Sequence, residues 1–560
     1  MIQLWLDRLG DWNPQLFREV KGRLKKRNLV VATAVSLMGQ VLMLLYFGGR
    51  LPGELVTVSR YCTGTAEYSD SFNCLKDAAG NVLINWQLWH LDVFICLSVV
   101  SIFALVVGGV HLLVSDLEQE DRRGTLNFIR LTPQSSQSIL LGKLLGVPTL
   151  LYLAAAFAIP LHWGTGVSAH IPSHLILSFY GVLAISCGFF YSVALLYGIA
   201  SNWLGGFQAW LGSGGILLFL SAVGAKAIYS QPLDWLNLFS PATILPYLVP
   251  DNLLENTRIL GSNASYLLGN LQELHWLNLP VGAHGISTVG LMLVNYGFWM
   301  AWLWQSLKRC FRNPSNTLLT KQQSYGLVAC FEVLILGFAA ARASLSTNLG
   351  QLLFLNLSLF LVLIAALSPH RQVLQDWARY RREKSINGKR QGYQSLVQDL
   401  IWAEKSPALM AIAINLLIAA TLLTLWIAST NFDQKPEAIA SILLSLGMIL
   451  VYGAIAQVLL FMKTQKRVLW AFGSVGSIVV LPVLVLSVLS LRPEIFPGLW
   501  LFSAVPWAAL DYISAMSAFL GFLGQISMVS LLSFQLTRQL RKSGESASKT
   551  LMAGRPALRA

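Results

Sequence analysis

Charge is scarce in this chain. Only 12% of its 560 residues are Asp, Glu, Lys or Arg, while 55% are hydrophobic and the mean hydropathy is +0.59. Globular sequences average roughly twice that charged fraction. The three or four soluble domains that length alone would suggest are therefore excluded. Six cysteines are too few for a disulfide framework. No GxxxxGK[ST] phosphate cradle, HExxH or GxSxG occurs. The cluster Gly212-Ser213-Gly214-Gly215 lies inside an apolar run with no lysine after it, and reads as a close helix–helix contact. His170 and His174 are separated by Pro172, which argues against one helical face. Neither a catalytic constellation nor a metal site is read, and no enzymatic role is expected of the chain. Charges within apolar runs, the usual mark of an ion path, are few as well. Lys226 and Arg342 fall at run ends, and Glu332 reads either as one half of a structural pair with a neighbouring helix, the favoured reading, or as a functional pore position.

What is present is a series of apolar runs. A helix needs about 20 apolar residues to cross the hydrocarbon. Such runs occupy Leu29–Phe47, Leu91–Val114, Leu144–Trp163, Leu175–Ala200, Trp203–Ile228 and Gly285–Trp304. Then come Tyr325–Ala341, Leu349–Leu367, Leu409–Ala428, Ala438–Phe461, Val468–Leu491 and Ala515–Leu536. The fold class is all-α, a polytopic integral membrane protein of about twelve spans. With the N-terminus inside, 32 of the 40 Lys and Arg residues fall on the inner side. The positive-inside rule then places both termini in the cytoplasm and accounts for the net charge of +14 without any nucleic-acid partner. No cleavable signal peptide is read. The first span, behind Lys21, Arg23, Lys25, Lys26 and Arg27, serves as its own targeting signal. Cys62 and Cys74 share the outer loop between spans 1 and 2, where a disulfide or two free thiols are both open.

Three pairs of segments look alike. Trp12–Leu24 leads into span 1 and Ile401–Met410 into span 9. Leu236–Pro246 precedes span 6 and Leu499–Leu510 precedes span 12. Basic segments follow spans 6 and 12, Trp304–Ser315 and Phe534–Ser546. Their common order suggests a duplication with a degenerate second half lacking one pair of spans, the alternative being chance similarity of apolar and basic words. The division read is a cytoplasmic amphipathic helix (1–28), a six-span unit (29–310) with its loop at 115–143, and a connector with two spans and a basic segment (311–407). A four-span half (408–537) and a tail (538–560) complete it. The basic segment within 371–405 suits a partner, anionic lipid headgroups or plain solvation.

The most informative loop is Asp116 to Gly146, DLEQEDRRGTLNFIRLTPQSSQSILLGKLLG. A charge cluster, Glu118 to Arg123, is broken by Gly124-Thr125. An amphipathic stretch follows, with Leu126, Phe128, Ile129 and Leu131, and Thr132-Pro133 makes a second turn. A short amphipathic helix with charged flanks suits docking onto a soluble partner, or lying on lipid. On Glu120, Gly124, Thr125, Leu126, Thr132, Pro133, Gly142 and Lys143, the sequence resembles the membrane subunits of ATP-binding-cassette exporters of the type-2 permease family. Arg122 stands where that pattern has a second acid. Asn13-Pro14 with Arg18-Glu19 and the basic run to Arg27 resembles the family's connecting helix. Leu238-Phe239-Ser240-Pro241 with Leu245-Pro246 resembles its re-entrant element. The likeness covers residues 12 to 310 and is looser beyond.

The resemblance implies a bacterial inner-membrane exporter subunit coupled to a separate ATPase, which would bind ATP and Mg while this chain binds no cofactor. Glu120, Arg122, Arg123, Gly124, Thr125, Leu126, Phe128 and Pro133 would form the ATPase-coupling element. Asn13, Pro14, Arg18, Glu19, Lys21 and Lys25 would form the connecting helix, and Phe239, Ser240, Pro241 and Pro246 the re-entrant element. In docking, the charged residues would pair with the ATPase, and Leu126 and Phe128 would lock into its groove. Further partners would be membrane lipid and a second permease or a second copy. The rival readings are an ion-coupled carrier, a polytopic membrane enzyme and an ATPase anchor without transport. The substrate is not read from the sequence.

Overall fold

A computed structural model describes residues 10–68, 71–224, 228–339, 345–387, 392–430, 435–512 and 514–543. Lys226, Arg342 and the tail beyond Ser543 lie outside them. The protein is all-α and polytopic. Among the described residues, eleven helices are long and apolar enough to cross a membrane. The remaining run, the seventh, expected at Tyr325–Ala341, is helical over Lys321–Leu336. Its 16 residues reach about 24 Å at 1.5 Å each, short of the roughly 30 Å of hydrocarbon.

The chain falls into two compact units. The first runs through Arg312, apart from Gln231–Leu233, which groups with the second unit from Asn313 onward. The first unit opens with α1 (Pro14–Arg23) and α2 (Lys26–Gly48). A loop follows with a small antiparallel sheet, β1 (Val58–Ser59), β2 (Ala66–Tyr68) and β3 (Ser71–Asn73), in the order β1-β3-β2. Next come α3 (Trp86–Arg122), α4 (Thr125–Arg130), α5 (Ser136–Gly146), α6 (Thr149–Ser168), α7 (Ser173–Ala200) and α8 (Gln208–Gly224). A buried 3-10 segment, Pro241–Leu248, the hairpin β4 (Arg258–Ile259) and β5 (Ser262–Asn263), α9 (Ala264–Gln272) and α10 (Gly285–Arg312) complete the unit. The core lies between α3 and α7, the most buried long helices here. α7 packs on α3 and α10, α2 packs on α6, and α8 packs on α3.

Midway, α3 widens into one π-turn at Ala104–Gly108. Around it the Gly109 N–H is shared between Leu105 O and Val106 O. Leu105 O is met by the Tyr191 hydroxyl of α7 at 2.7 Å. Gly109 makes room, since a Cβ there would lie 2.2 Å from that hydroxyl oxygen.

The second unit holds α11 (Lys321–Leu336), α12 (Leu345–Leu367), α13 (Arg371–Asn387), α14 (Gly392–Trp402), α15 (Leu409–Ser429), α16 (Lys435–Leu460), α17 (Arg467–Val488) and α18 (Ala515–Ser543). Part of its packing follows the first unit's order, while its fifth long helix packs on the fourth (α17 on α16) where the first unit's packs on the second (α8 on α3). The first long helix packs on the third (α2 on α6, α11 on α15), and the fourth packs on the second and the sixth (α7 on α3 and α10, α16 on α12 and α18). Each unit has a 3-10 segment against its fourth helix, Pro241–Leu248 and Pro506–Tyr512. Spans 7 and 8, read from sequence as part of a connector, thus pack within the second unit as its first two long helices. Ile401–Met410 precedes that unit's third long helix, so its match to the segment before span 1 is out of register with the packing. The basic helix α13 and the helix α14 take the place in the series that α4 and α5 hold in the first unit.

Candidate functional site

The sequence builds a joint where α1, the end of α3 and α5 meet. α1 starts at Asn13, whose Oδ1 accepts from the Leu16 N–H at 3.0 Å, with Pro14 at the first helical position. The Asn13 Nδ2 donates to Ser138 O at 2.8 Å, pinning that end of α1 to α5. The two helices cross closely because Gly142 and Gly146, one turn apart on α5, face α1. A Cβ on Gly142 would lie 2.8 Å from the Leu16 backbone nitrogen, and one on Gly146 would lie 2.5 Å from Glu19 Cβ.

Lys143 sits at the centre of the joint, with its side chain fully buried. Its Nζ lies 2.7 Å from Asp116 and 2.7 Å from Glu120, both on α3, and 3.7 Å from Glu19 on α1. Arg18 reaches Glu120 at 2.6 Å and Glu19 at 3.1 Å. Arg23 reaches Asp116 at 2.6 Å and Glu19 at 3.1 Å. Three cations face three carboxylates, so the cluster is neutral. The carboxylates approach one another closely enough for a metal ion, but the Lys143 ammonium bridges all three. Burial alone would lower the lysine's pKa. Asp116, Glu120 and Glu19 outweigh it and hold the pKa above its ordinary value.

α3 ends at Gly124, whose φ of +71° suits glycine and turns the chain into α4. Thr125 Oγ1 donates back to Glu120 O at 3.2 Å. α4 and Leu131, which caps its end, present two faces. Leu126 and Ile129 point inward, at 2% and 3% exposure. Phe128 and Leu131 stand outward at 74% and 86%. Leu126, expected to enter a partner's groove, therefore packs within its own unit, because residues three apart share a helix face. Glu120, expected to pair with a partner, is engaged by Lys143 and Arg18. Arg122 forms an i,i+4 ion pair with Glu118. Arg123, Gly124, Thr125 and Pro133 remain at the surface.

On α1, Arg18 and Glu19 enter the joint, while Lys21 lies 5.0 Å over the Phe17 ring and Lys25 faces solvent. Phe239, Ser240, Pro241 and Pro246 are all buried. Phe239 packs on Phe189 and Tyr296, and Thr243 Oγ1 donates to Asn237 O at 2.7 Å. Cys62 and Cys74 are joined by a disulfide, with Cα atoms 4.8 Å apart.

Sequence reasoning left Asp116 and Lys143 out of the candidate site, although Lys143 stood in the matched Gly-Lys pair. It also passed over His162 of α6, which contacts Ser98 Oγ and the Tyr180 hydroxyl at 2.8 Å each. Glu332 is fully buried in α11. Asn356 of α12 is its polar neighbour, and no cation pairs with it among the described residues. Lys321, at the start of α11, donates instead to Leu400 O and Ser406 Oγ at 2.6 Å each. No protein-family model, curated protein or solved structure matches this chain.

Proposed function

We propose that this chain is the membrane subunit of an ATP-binding-cassette exporter of the type-2 permease kind, driven by a separate ATPase. The observation that carries the reading is the joint around Lys143. It ties α1, the end of the α3 span and α5 into one rigid piece, and α4 projects from that piece with Phe128 and Leu131 uncovered. Two exposed apolar side chains beside Arg122 and Arg123 suit a hydrophobic anchor with a charged rim on a soluble partner. A push on α4 would pass through ion pairs and close helix contacts into α3, which ATP-driven closure of the partner requires. In this reading the joint faces the cytoplasm. Two units of like helix order favour one chain supplying both halves of the pathway over pairing with a second permease.

The test is purification of the tagged chain in mild detergent, with mass spectrometry of what stays bound and an ATPase assay. A stoichiometric ATPase, lost in Phe128→Glu/Leu131→Glu and kept in Leu126→Met, supports the proposal. A preparation without any ATPase, under conditions that preserve other membrane complexes, sinks it. Reconstituted turnover that changes the ATPase rate separates a transporter from a mere anchor.

A further inference from the structure

Glu332 of α11 is fully buried, at 0% exposure. Neither of its carboxylate oxygens accepts a hydrogen bond. Its polar neighbour, Asn356 of α12, is fully buried as well, and the Asn356 Oδ1 accepts none either. The Asn356 Nδ2 donates to Leu352 O, one turn back on its own helix, at 3.1 Å. Three acceptor oxygens thus stand in the interior of the second unit with no donor to answer them. Among the described residues no side-chain cation is placed to do so. Of the helices packed on α11, α12 and α15 carry no charged residue. α14 meets α11 at the Lys321 end, through Leu400 and Ile401, and its Asp399 pairs with Arg381. On α11 itself, Lys321 lies about 16 Å from Glu332 along the helix and donates to Leu400 O and Ser406 Oγ. The other titratable groups of α11 are Tyr325, whose hydroxyl donates to Ile401 O at 2.8 Å, and the exposed Cys330.

The helix itself adds to the imbalance. Glu332 stands one turn before Leu336, the last residue of α11. The carbonyl end of a helix carries partial negative charge, which disfavours an acid there and favours a cation. An unpaired carboxylate is also among the costliest groups to bury, and an acid within an apolar span marks a cation or proton site by default. We propose that Glu332 and Asn356 form a cation site between α11 and α12, taking one monovalent cation, a sodium ion or a proton. Either one neutralises the carboxylate. A proton on one Glu332 oxygen would donate to Asn356 Oδ1. A sodium ion would draw on all three oxygens, the ligand type that hard cations take. Occupancy then governs how firmly α11 holds to α12. The site shares no residue with the joint around Lys143, so its failure would leave the proposed ATPase coupling untouched, and the reverse holds too.

The test measures thermal unfolding of the full-length chain in neutral detergent. Sodium chloride is raised with choline chloride holding ionic strength constant, and pH is varied separately over about 6 to 9. The expected result is a midpoint shift of about 2–4 °C, the scale of a ligand that binds only the folded state. A shift with sodium at fixed pH identifies sodium, and a shift with pH that is indifferent to sodium identifies the proton. Glu332→Gln, a neutral isostere, should abolish the shift, and Asn356→Leu should reduce it. Glu437→Gln, which removes an exposed acid in the first turn of α16, should leave it unchanged. A second measurement needs no variant. Dicyclohexylcarbodiimide attacks carboxyl groups in apolar surroundings, and peptide mass spectrometry should find its adduct on Glu332. The adduct should form more slowly as sodium rises for a sodium site, or as pH rises for a proton site. If sodium and pH act on Glu332→Gln as they act on the parent, the proposal is overturned. Should that variant fail to fold, labelling of Glu332 that responds to neither sodium nor pH overturns it instead. An equal loss in Glu437→Gln would mean general surface charge and overturn the site.

Discussion

Replacing Lys143 by methionine removes the one fully buried charge of the joint and keeps most of its volume. The cluster then changes from neutral to a net charge of −1, with Asp116, Glu120 and Glu19 crowded together and only Arg18 and Arg23 to answer them. The carboxylate side chains are 9% to 17% exposed, so water screens little of the imbalance. Breaking a buried ion pair by removing one partner costs about 3–5 kcal/mol. At about 1.4 kcal/mol per factor of ten, opening of the α1–α5 contact should become at least about 100-fold more frequent. Amide hydrogen exchange along Pro14–Arg23 reads that opening directly. Adding Glu120→Gln restores neutrality and should recover most of the protection, because rebalanced buried sites are close to neutral in energy. Glu120 is the carboxylate to choose, since its other partner, Arg18, is half exposed and can turn to solvent. If Lys143→Met exchanges like the parent, or if Glu120→Gln fails to rescue it, the ion cluster does not hold the joint and the reasoning fails.

Three further outcomes are expected. The Lys143 pKa is raised in the folded state, so its contribution is fully present below the ordinary lysine value and is lost only as pH rises through the higher folded one. Exchange protection of α1, corrected for intrinsic rates, should therefore not change through this group between about pH 6 and 9. Gly142→Ala should loosen the same contact by about 1–3 kcal/mol, as overpacking does, because its Cβ would press on the Leu16 backbone. Gly22→Ala is the control: nothing lies within 4 Å of a Cβ there, so exchange should slow slightly through helix propensity, by up to about 1 kcal/mol. Cys62→Ser removes a cross-link over 12 residues, worth about 3 kcal/mol by loop entropy. Limited proteolysis of the β1–β3 loop should then speed up, with α1 protection unchanged.

The spans were legible because a membrane crossing needs a long apolar run, and that requirement is written in consecutive residues. α1 was legible too, since Asn13-Pro14 is a local start signal that needs no knowledge of the rest of the fold. The joint was only half legible. Glu19, Arg18 and Glu120 stood out as charges in short motifs, but their meeting depends on Lys143, and Glu19 and Lys143 are 124 positions apart in sequence. No helical spacing rule connects them. α4 shows the opposite limit. Its six residues are too few for periodicity to say which apolar pair faces in, and tertiary packing chose Leu126 and Ile129. The similar words ahead of spans 1 and 9 misled for a related reason: resemblance of short segments carries no register, whereas the packing of the fourth long helix on the second and sixth does.

The π-turn at Ala104–Gly108 bears on how α3 tolerates changes of length. A π-turn absorbs one residue beyond what a regular helix would use. The stretch that follows, with Asp116 and Glu120, therefore keeps the phase of a helix one residue shorter. Deleting a residue within 104–108 would restore the regular ladder and still aim both carboxylates at Lys143. The same deletion a turn or more away, outside the π-turn, would rotate everything beyond it by about 100° and swing them off the lysine. One short stretch of α3 is thus a slack point in the reading frame of the fold, where the gene can lose a codon without misaligning the joint below.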